Sequence, residues 1–254
     1  MLDLVAAVER CSLRQAALWL TQRFGVEPWV PESESDVGRL PTTERIREKE
    51  SSAALRFALR PIDGAHAYLQ QRGIEADTAA HFGVGYYAGP GLLTGRVVIP
   101  IHNQRGQLLA YAGRSIDGAA PKYKLPAGFR KSSVLFNLHR AAARGHDRVI
   151  VVEGFFDCLK VHQAGLSCVV GLMGSSLSAH QEALLVERYR NVTLMLDGDP
   201  AGKQGSRLIA DRLRHQCAVD IVKLARGQQP DQLTAPEIRR ALSGTPTARD
   251  ASRS

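Results

Sequence analysis

Four acids in this sequence, Glu153, Asp157, Asp197 and Asp199, have the types and the spacing to do chemistry. Glu153 ends the apolar run RVIVVE, and Asp157 follows within one helical turn. Asp197 closes the run NVTLMLD, and Asp199 comes one glycine later. Carboxylates gathered in one place repel, and each raises its neighbour's affinity for a proton. A divalent cation relieves that conflict. Magnesium prefers oxygen ligands, keeps several waters, and combines one or two carboxylates with the phosphates of a substrate. It can activate a 3′-hydroxyl or a water, and it can neutralise charge on a transferring phosphoryl group.

Each acid taken singly also has a plain structural role. Asp157 would favour a helix N-terminus electrostatically, and DGDPAG could be a turn. That segment begins like a calcium-binding loop, but Ala201 stands at its third acidic position and no glutamate closes it. GDPAGK is one residue short of a P-loop and lacks the hydroxyl residue after Lys203. The metal reading rests on all the acids falling at strand ends together. Gly154 and Gly198 let the backbone turn beside them, and Gly202 would let a phosphate approach amide groups.

The elements that must position these acids follow from residue 148 onward. RVIVVE is continuously apolar, as a strand buried on both faces should be. FFDCLKVHQAG reads as a helix ending at Gly165, SCVVGLM as a strand, and SAHQEALLVERYR as a helix. Ser178 and Gln181 give that last helix a capping box. NVTLMLD, AGKQGSRLIADRLRHQ and AVDIVKL continue the alternation as strand, helix and strand. Such a rhythm implies a mainly parallel sheet with right-handed crossovers. Ligands bind beyond the carboxyl ends of such strands, where Glu153, Asp197 and Asp199 fall.

Upstream the pattern differs. VGYYAG, RVVIPIHN and QLLAYAGR read as strands, the last two joined in a hairpin through Asn103–Gly106. PKYKLPAGFRKSS reads as an exposed basic loop. Residues 1–25 have helical spacing, residues 27–43 are rich in Pro, Ser and acids, and helices are expected up to about Leu59 and from Gly64 to Gly73. The stretch from 241 to 254 reads as a disordered tail. The chain is expected to be α+β: a mainly parallel sheet flanked by helices, preceded by a smaller, mixed and basic subdomain. Its expected divisions are a helical segment at 1–25, a linker and connecting helix at 26–60, a basic subdomain at 61–147, the parallel α/β domain at 148–240, and the tail.

Charge is unevenly placed. The net value of +8 breaks into −2 for residues 1–50, +7 for 51–147 and +3 for 148–254. Positive charge concentrated in the middle favours a polyanionic partner. Cys11, Cys158, Cys168 and Cys217 form no CxxC pair, so neither zinc nor a disulfide framework is expected. No apolar run is long enough to span a bilayer, and the first residues lack the marks of a signal peptide; a cytoplasmic setting is expected.

VVVEGFFD, followed by MLDGDPAG, resembles the Toprim signature, a strand-end glutamate and a later strand-end DxD. Primases, topoisomerases, OLD-family nucleases and RecR proteins share it. YLQQRGI, HFGVGYYA, GRVVIPIHNQRGQLLAYAGR, PKYKLPAGFRKSSVLFNL and LMGSSLSAHQ resemble the catalytic core of DnaG-type primases. The resemblance covers about residues 64–235. It implies magnesium, replaceable by manganese, held by Glu153, Asp197 and Asp199 with Asp157 and Asp231 in support. It also implies a basic groove built from Arg72, Arg96, Arg114, Lys122 and Lys131. The implied activity is synthesis of short RNA primers from ribonucleoside triphosphates on single-stranded DNA, with a replicative helicase or a separate zinc-module chain as possible partners. The chain departs from the family in LARGQQPDQL, where Gln229 stands at the place of an expected aspartate. It also shows no zinc ligands ahead of residues 1–25, which resemble only the helical end of a zinc-binding module. A reduced replication protein of a plasmid, phage or integrative element would fit. Two other readings stay open: a Toprim nuclease, and a non-catalytic nucleic-acid-binding accessory protein.

Overall fold

The structure is a computed structural model that describes residues 54–243. Two four-stranded sheets organise them. The first is antiparallel, in the order β1 (Gly85–Tyr87), β2 (Arg96–His102), β3 (Leu108–Arg114) and β4 (Tyr123–Lys124). The second is wholly parallel, and is built from β5 (Arg148–Val152), β6 (Val169–Gly171), β7 (Asn191–Leu194) and β8 (Ala218–Ile221). Its spatial order is β6-β5-β7-β8, so β5 and β7 are hydrogen-bonded neighbours at its centre. The expected mixed class and parallel sheet are both present.

Helices α1 (Ala67–Gln71) and α2 (Ala76–Phe82) precede the first sheet, and α3 (Leu138–Ala142) links the two sheets. Helices α4 (Phe155–Gln163), α5 (Ala179–Arg188) and α6 (Pro200–Leu213) follow β5, β6 and β7, and α7 (Ala235–Ser243) comes last.

Side-chain alternation divides the apolar residues among three cores. Along β5, Val149 and Val151 face one core while Val152 faces another. The larger core also receives Val97, Ile99 and Ile101 of β2 and Phe155, Phe156 and Leu159 of α4. It therefore glues the antiparallel sheet to the parallel one through α4. The core on the opposite face of the parallel sheet holds Leu184 and Leu185 of α5 with Ile209 and Leu213 of α6. Burial on both faces explains why RVIVV carries no solvent-facing polar alternation. Phe136 forms an antiparallel bridge to Gly171, covering the β6 edge that would otherwise invite pairing.

Several expectations need correction. Residues 54–59 are not helical. Leu55, Leu59 and Ile62 have helical spacing, but they lie as non-helical chain against Tyr87, Val98 and Tyr111 on the outer face of the first sheet. The amide of Leu55 donates to the Leu108 carbonyl at 2.7 Å, and Pro61 disfavours a helix just before it. The segment expected to be an exposed basic loop contains β4 and a 3-10 turn at Lys131–Ser133. Tyr123, Leu125 and Phe129 tie it to the main core. Helix α7 runs three residues into the stretch expected to be a disordered tail. Its apolar residue Ile238 is buried beside α4's core, which orders it. The expectations for residues 1–53 and 244–254 lie outside the described residues.

Candidate active site

Strands β5 and β7 deliver their carboxyl ends side by side. Glu153 follows β5 directly, and the backbone N–H of Asp197 donates to its Oε1 at 3.1 Å. That bond ties the two acidic strand ends together. Asp199 caps α6: its Oδ1 accepts from the Gly202 amide at 2.7 Å, and Pro200 follows at the first helical position. Gly202 is required there. A Cβ would stand 2.2 Å from the Asp197 carbonyl oxygen and 2.8 Å from Glu153 Oε1.

Asp157 sits in the first turn of α4 and is buried. Its Oδ2 accepts from the Gly154 amide at 2.8 Å and its Oδ1 from the Asp231 amide at 3.1 Å. Both oxygens thus bracket backbone. Asp231 lies in a 3-10 turn, Pro230–Gln232, and its carboxylate is paired with Arg72. Gln229, just before that turn, donates from Nε2 to Asp197 Oδ2 at 2.6 Å. Asp197 Oδ1 and Asp231 Oδ1 are buried without a hydrogen-bond partner among the described residues.

The electrostatics match the geometry. Burial, with the charges of Asp197 and Asp199 added, pushes the Glu153 carboxyl up to about 7. Asp157 is likewise pushed up to about 7, by burial first and then by Asp231 and Asp197. Asp197 is also raised, chiefly by burial, against the opposing hydrogen bond from Gln229. Mutual repulsion at a shielded rim is the condition that a divalent cation relieves.

A cleft of about 380 Å³ opens beside these acids. Arg72, Arg114, Lys122 and Lys131 line it together with Glu153, Asp157, Asp197 and Asp231. Arg114 is held by a 2.9 Å bond from Nε to the Tyr68 hydroxyl and stacks over Tyr123 at 5.0 Å. Lys131 rides on the 3-10 turn that Gln181 pins. The Gln181 amide reaches the carbonyls of Lys131, Val134 and Leu172 at 3.2, 2.9 and 3.1 Å. The capping box expected of Ser178 and Gln181 is formed as well. Among the described residues, Lys122 and Lys131 form no ion pair, which leaves both for an anionic ligand.

Two candidates stand apart. Arg96 does not line this cleft; its Nη1 donates to the carbonyls of Gly113 and Pro121, at 3.2 and 3.0 Å, and so fastens the β3–β4 connection. Asp199 lies at the rim but not on the cleft wall. Residues that the sequence did not single out complete the cleft: Tyr123, Phe155, Phe156, Met173 and Gly174. Met173 takes a positive φ of 59°, and the Gly174 amide donates to the Glu153 carbonyl at 3.2 Å. The GFF that follows Glu153 was the available signal for the aromatic wall. Met173's backbone had none.

The donor set fits magnesium with few protein ligands. Among the described residues, no three His, Cys, Asp or Glu side chains are arranged to hold an ion by themselves. Magnesium does not need three: one or two carboxylates suffice when water and phosphate complete the shell. Asp197 Oδ1, buried and partnerless beside Glu153, is the kind of oxygen such an ion satisfies.

The family described as Toprim-like matches residues 150–234, and the family described as DNA primase catalytic core, N-terminal domain, matches residues 91–142. A DNA primase of Staphylococcus epidermidis is 32% identical over 202 residues, covering 75% of this chain and 33% of the relative. The chain therefore spans about a third of the length of that curated relative. Among solved structures, the zinc-binding and RNA polymerase domains of Aquifex aeolicus primase superpose with a TM-score of 0.64 at 26% identity, over 96% of this chain and 70% of that one. The E. coli primase catalytic core gives 0.59 at 26% identity, over 71% of each chain.

Proposed function

Because this chain belongs to the DnaG-type primase catalytic-core family, we propose that it synthesises short RNA primers on single-stranded DNA from ribonucleoside triphosphates. One observation carries the proposal: strand-end carboxylates and four basic side chains line a single cleft. Carboxylates alone would repel both substrates, and cations alone would bind them without chemistry.

Glu153 and Asp197 would hold magnesium, with manganese as a substitute and Asp199 beside them at the rim. When bound, the ion supplies charge neutralisation on the triphosphate and activation of the primer 3′-hydroxyl. The chain's own residues do the rest. The Asp197 amide fixes the Glu153 carboxylate, and the Gly202 amide fixes Asp199, so neither must reorganise as charge develops. Asp157 supports the site through the two backbone amides that it braces, one of them that of Asp231. Lys122 and Lys131 meet phosphate as mobile point charges, and Arg114, stiffened by Tyr68 and Tyr123, offers a planar fork. Arg72 neutralises Asp231, which keeps an uncompensated carboxylate out of the phosphate path. Arg96 shapes the basic loop from behind. A cytoplasmic setting beside a replicative helicase, with a zinc module on this or another chain, suits the reading. Carriage on a plasmid, phage or integrative element does too.

Incubation with single-stranded template, ribonucleotides and magnesium tests the proposal. RNA products that disappear in Glu153→Gln support it. Shortened DNA would assign a Toprim nuclease instead. DNA binding without any product, unchanged in Glu153→Gln, would assign an accessory binding module.

A further inference from the structure

The acidic rim has two halves. In one, Glu153, Asp197 and Asp199 each spend one oxygen on a hydrogen bond and keep another open. In the other, Asp157 braces two backbone amides and Asp231 is paired with Arg72. Gln229 stands at the join. Its Nε2 lies 2.6 Å from Asp197 Oδ2 and it shares the cleft wall with Asp231.

This placement is enforced by the chain around it. The loop from Ala225 to Gln229 lies flat on Gly198, where a Cβ would stand 1.9 Å from the Ala225 carbonyl oxygen. The Gly198 amide donates to the Gln228 carbonyl at 2.8 Å, and the Gly227 amide returns a bond to Gly198 at 3.3 Å. The following turn is fixed by the Asp231 amide on Asp157 at 3.1 Å. Gln229 therefore cannot drift away from Asp197 without releasing three hydrogen bonds of the chain on either side of it.

We infer that Gln229 is a positioning residue that limits the rim to one divalent ion, by holding Asp197 Oδ2 in an amide hydrogen bond and leaving Oδ1 for the cation. The inference rests on the metal reading given under the proposed function. A second ion between Asp197 and Asp231 would need oxygens at about 2.1 Å on both sides. Instead Gln229 presents an N–H hydrogen to Asp197 Oδ2, whose positive end repels a cation, and Arg72 places a full positive charge on Asp231. An aspartate at position 229 is one methylene shorter and ionised, so it would open that gap and line it with oxygen.

Manganese titration of the folded chain, followed by electron paramagnetic resonance of the free ion, reads stoichiometry independently of activity. Wild type is expected to bind one manganese at the rim. Gln229→Asp is expected to bind two. Gln229→Leu, which removes the hydrogen bond and supplies no ligand, is expected to bind one ion about tenfold more weakly. Circular dichroism establishes that each variant is folded, and Gln229→Glu, the closest in shape, replaces Gln229→Asp should the latter not fold. Two ions on wild type, one on both acidic variants, or an unchanged affinity in Gln229→Leu would each overturn the inference. Manganese bound by none of the proteins would overturn the metal reading itself, a different result from any of these.

Discussion

Glu153→Gln should make the metal-free protein more stable at pH 8, although it removes a residue assigned to the site. The Glu153 carboxyl is pushed from its ordinary 4.5 up to about 7 in the folded chain. An acid raised in this way favours folding most when protonated. Its contribution is intact below pH 4.5, is lost as pH climbs, and has become a full penalty above pH 7. Complete shielding would put that penalty at roughly 3 kcal/mol, from about 1.4 kcal/mol per tenfold change in proton affinity. Glu153 is only partly buried, so screening reduces the figure to about 1–2 kcal/mol. Glutamine keeps the oxygen that accepts from the Asp197 amide and mimics the protonated form. Urea unfolding without divalent ions, at pH 8 and pH 4.5, measures the difference. The variant should gain about 1–2 kcal/mol at pH 8 and about nothing at pH 4.5. Magnesium at ten times its Kd should add about 1.4 kcal/mol to wild type and much less to the variant. A folded variant less stable than wild type at pH 8 would refute the reasoning, because Glu153 would then be a stabilising ionised group.

Arg72→Ala should lose about 2–3 kcal/mol by urea unfolding, since it strands the buried Asp231 carboxylate, and adding Asp231→Asn should recover part of the loss. Gly202→Ala gains roughly 1 kcal/mol of helix propensity but must push aside the Asp197 carbonyl and Glu153. Overpacking of about 1–3 kcal/mol should leave it no more stable than wild type in thermal unfolding, with primer synthesis lost. Lys122→Ala and Lys131→Ala should each weaken single-stranded DNA binding in a fluorescence titration and lower the slope of log K against log salt by about 0.7. Arg96→Ala should leave that slope unchanged, because Arg96 lies off the cleft, held on the Gly113 and Pro121 carbonyls.

The parallel sheet was legible because burial on both faces writes an uninterrupted apolar run, and RVIVV is one. The acids at Glu153, Asp197 and Asp199 were legible because strand ends are where such sheets bind ligands. Other features left weaker traces. Leu55, Leu59 and Ile62 repeat at helical spacing, yet that spacing serves non-helical chain laid on the outer face of a sheet. The apolar spacing alone does not distinguish the two; Pro61, which disfavours a helix just before it, was the local signal against one. The basic segment around Tyr123 looked like a loop because its strand has only two residues and draws its order from pairing with β3. Asp157 and Arg96 have the right chemistry for the roles expected of them. Their hydrogen bonds to Gly154, Asp231, Gly113 and Pro121 depend on tertiary placement, which residue spacing does not encode. Gln229 was visible as a departure from an expected acid, and only the fold shows which oxygen it holds.

Anomalous diffraction from crystals soaked in manganese tests the central claim most directly. A peak between Glu153 and Asp197 Oδ1, at the mouth of the cleft that holds Lys122 and Lys131, is the expected result. Well-ordered crystals in which that position stays empty at saturating manganese would contradict it.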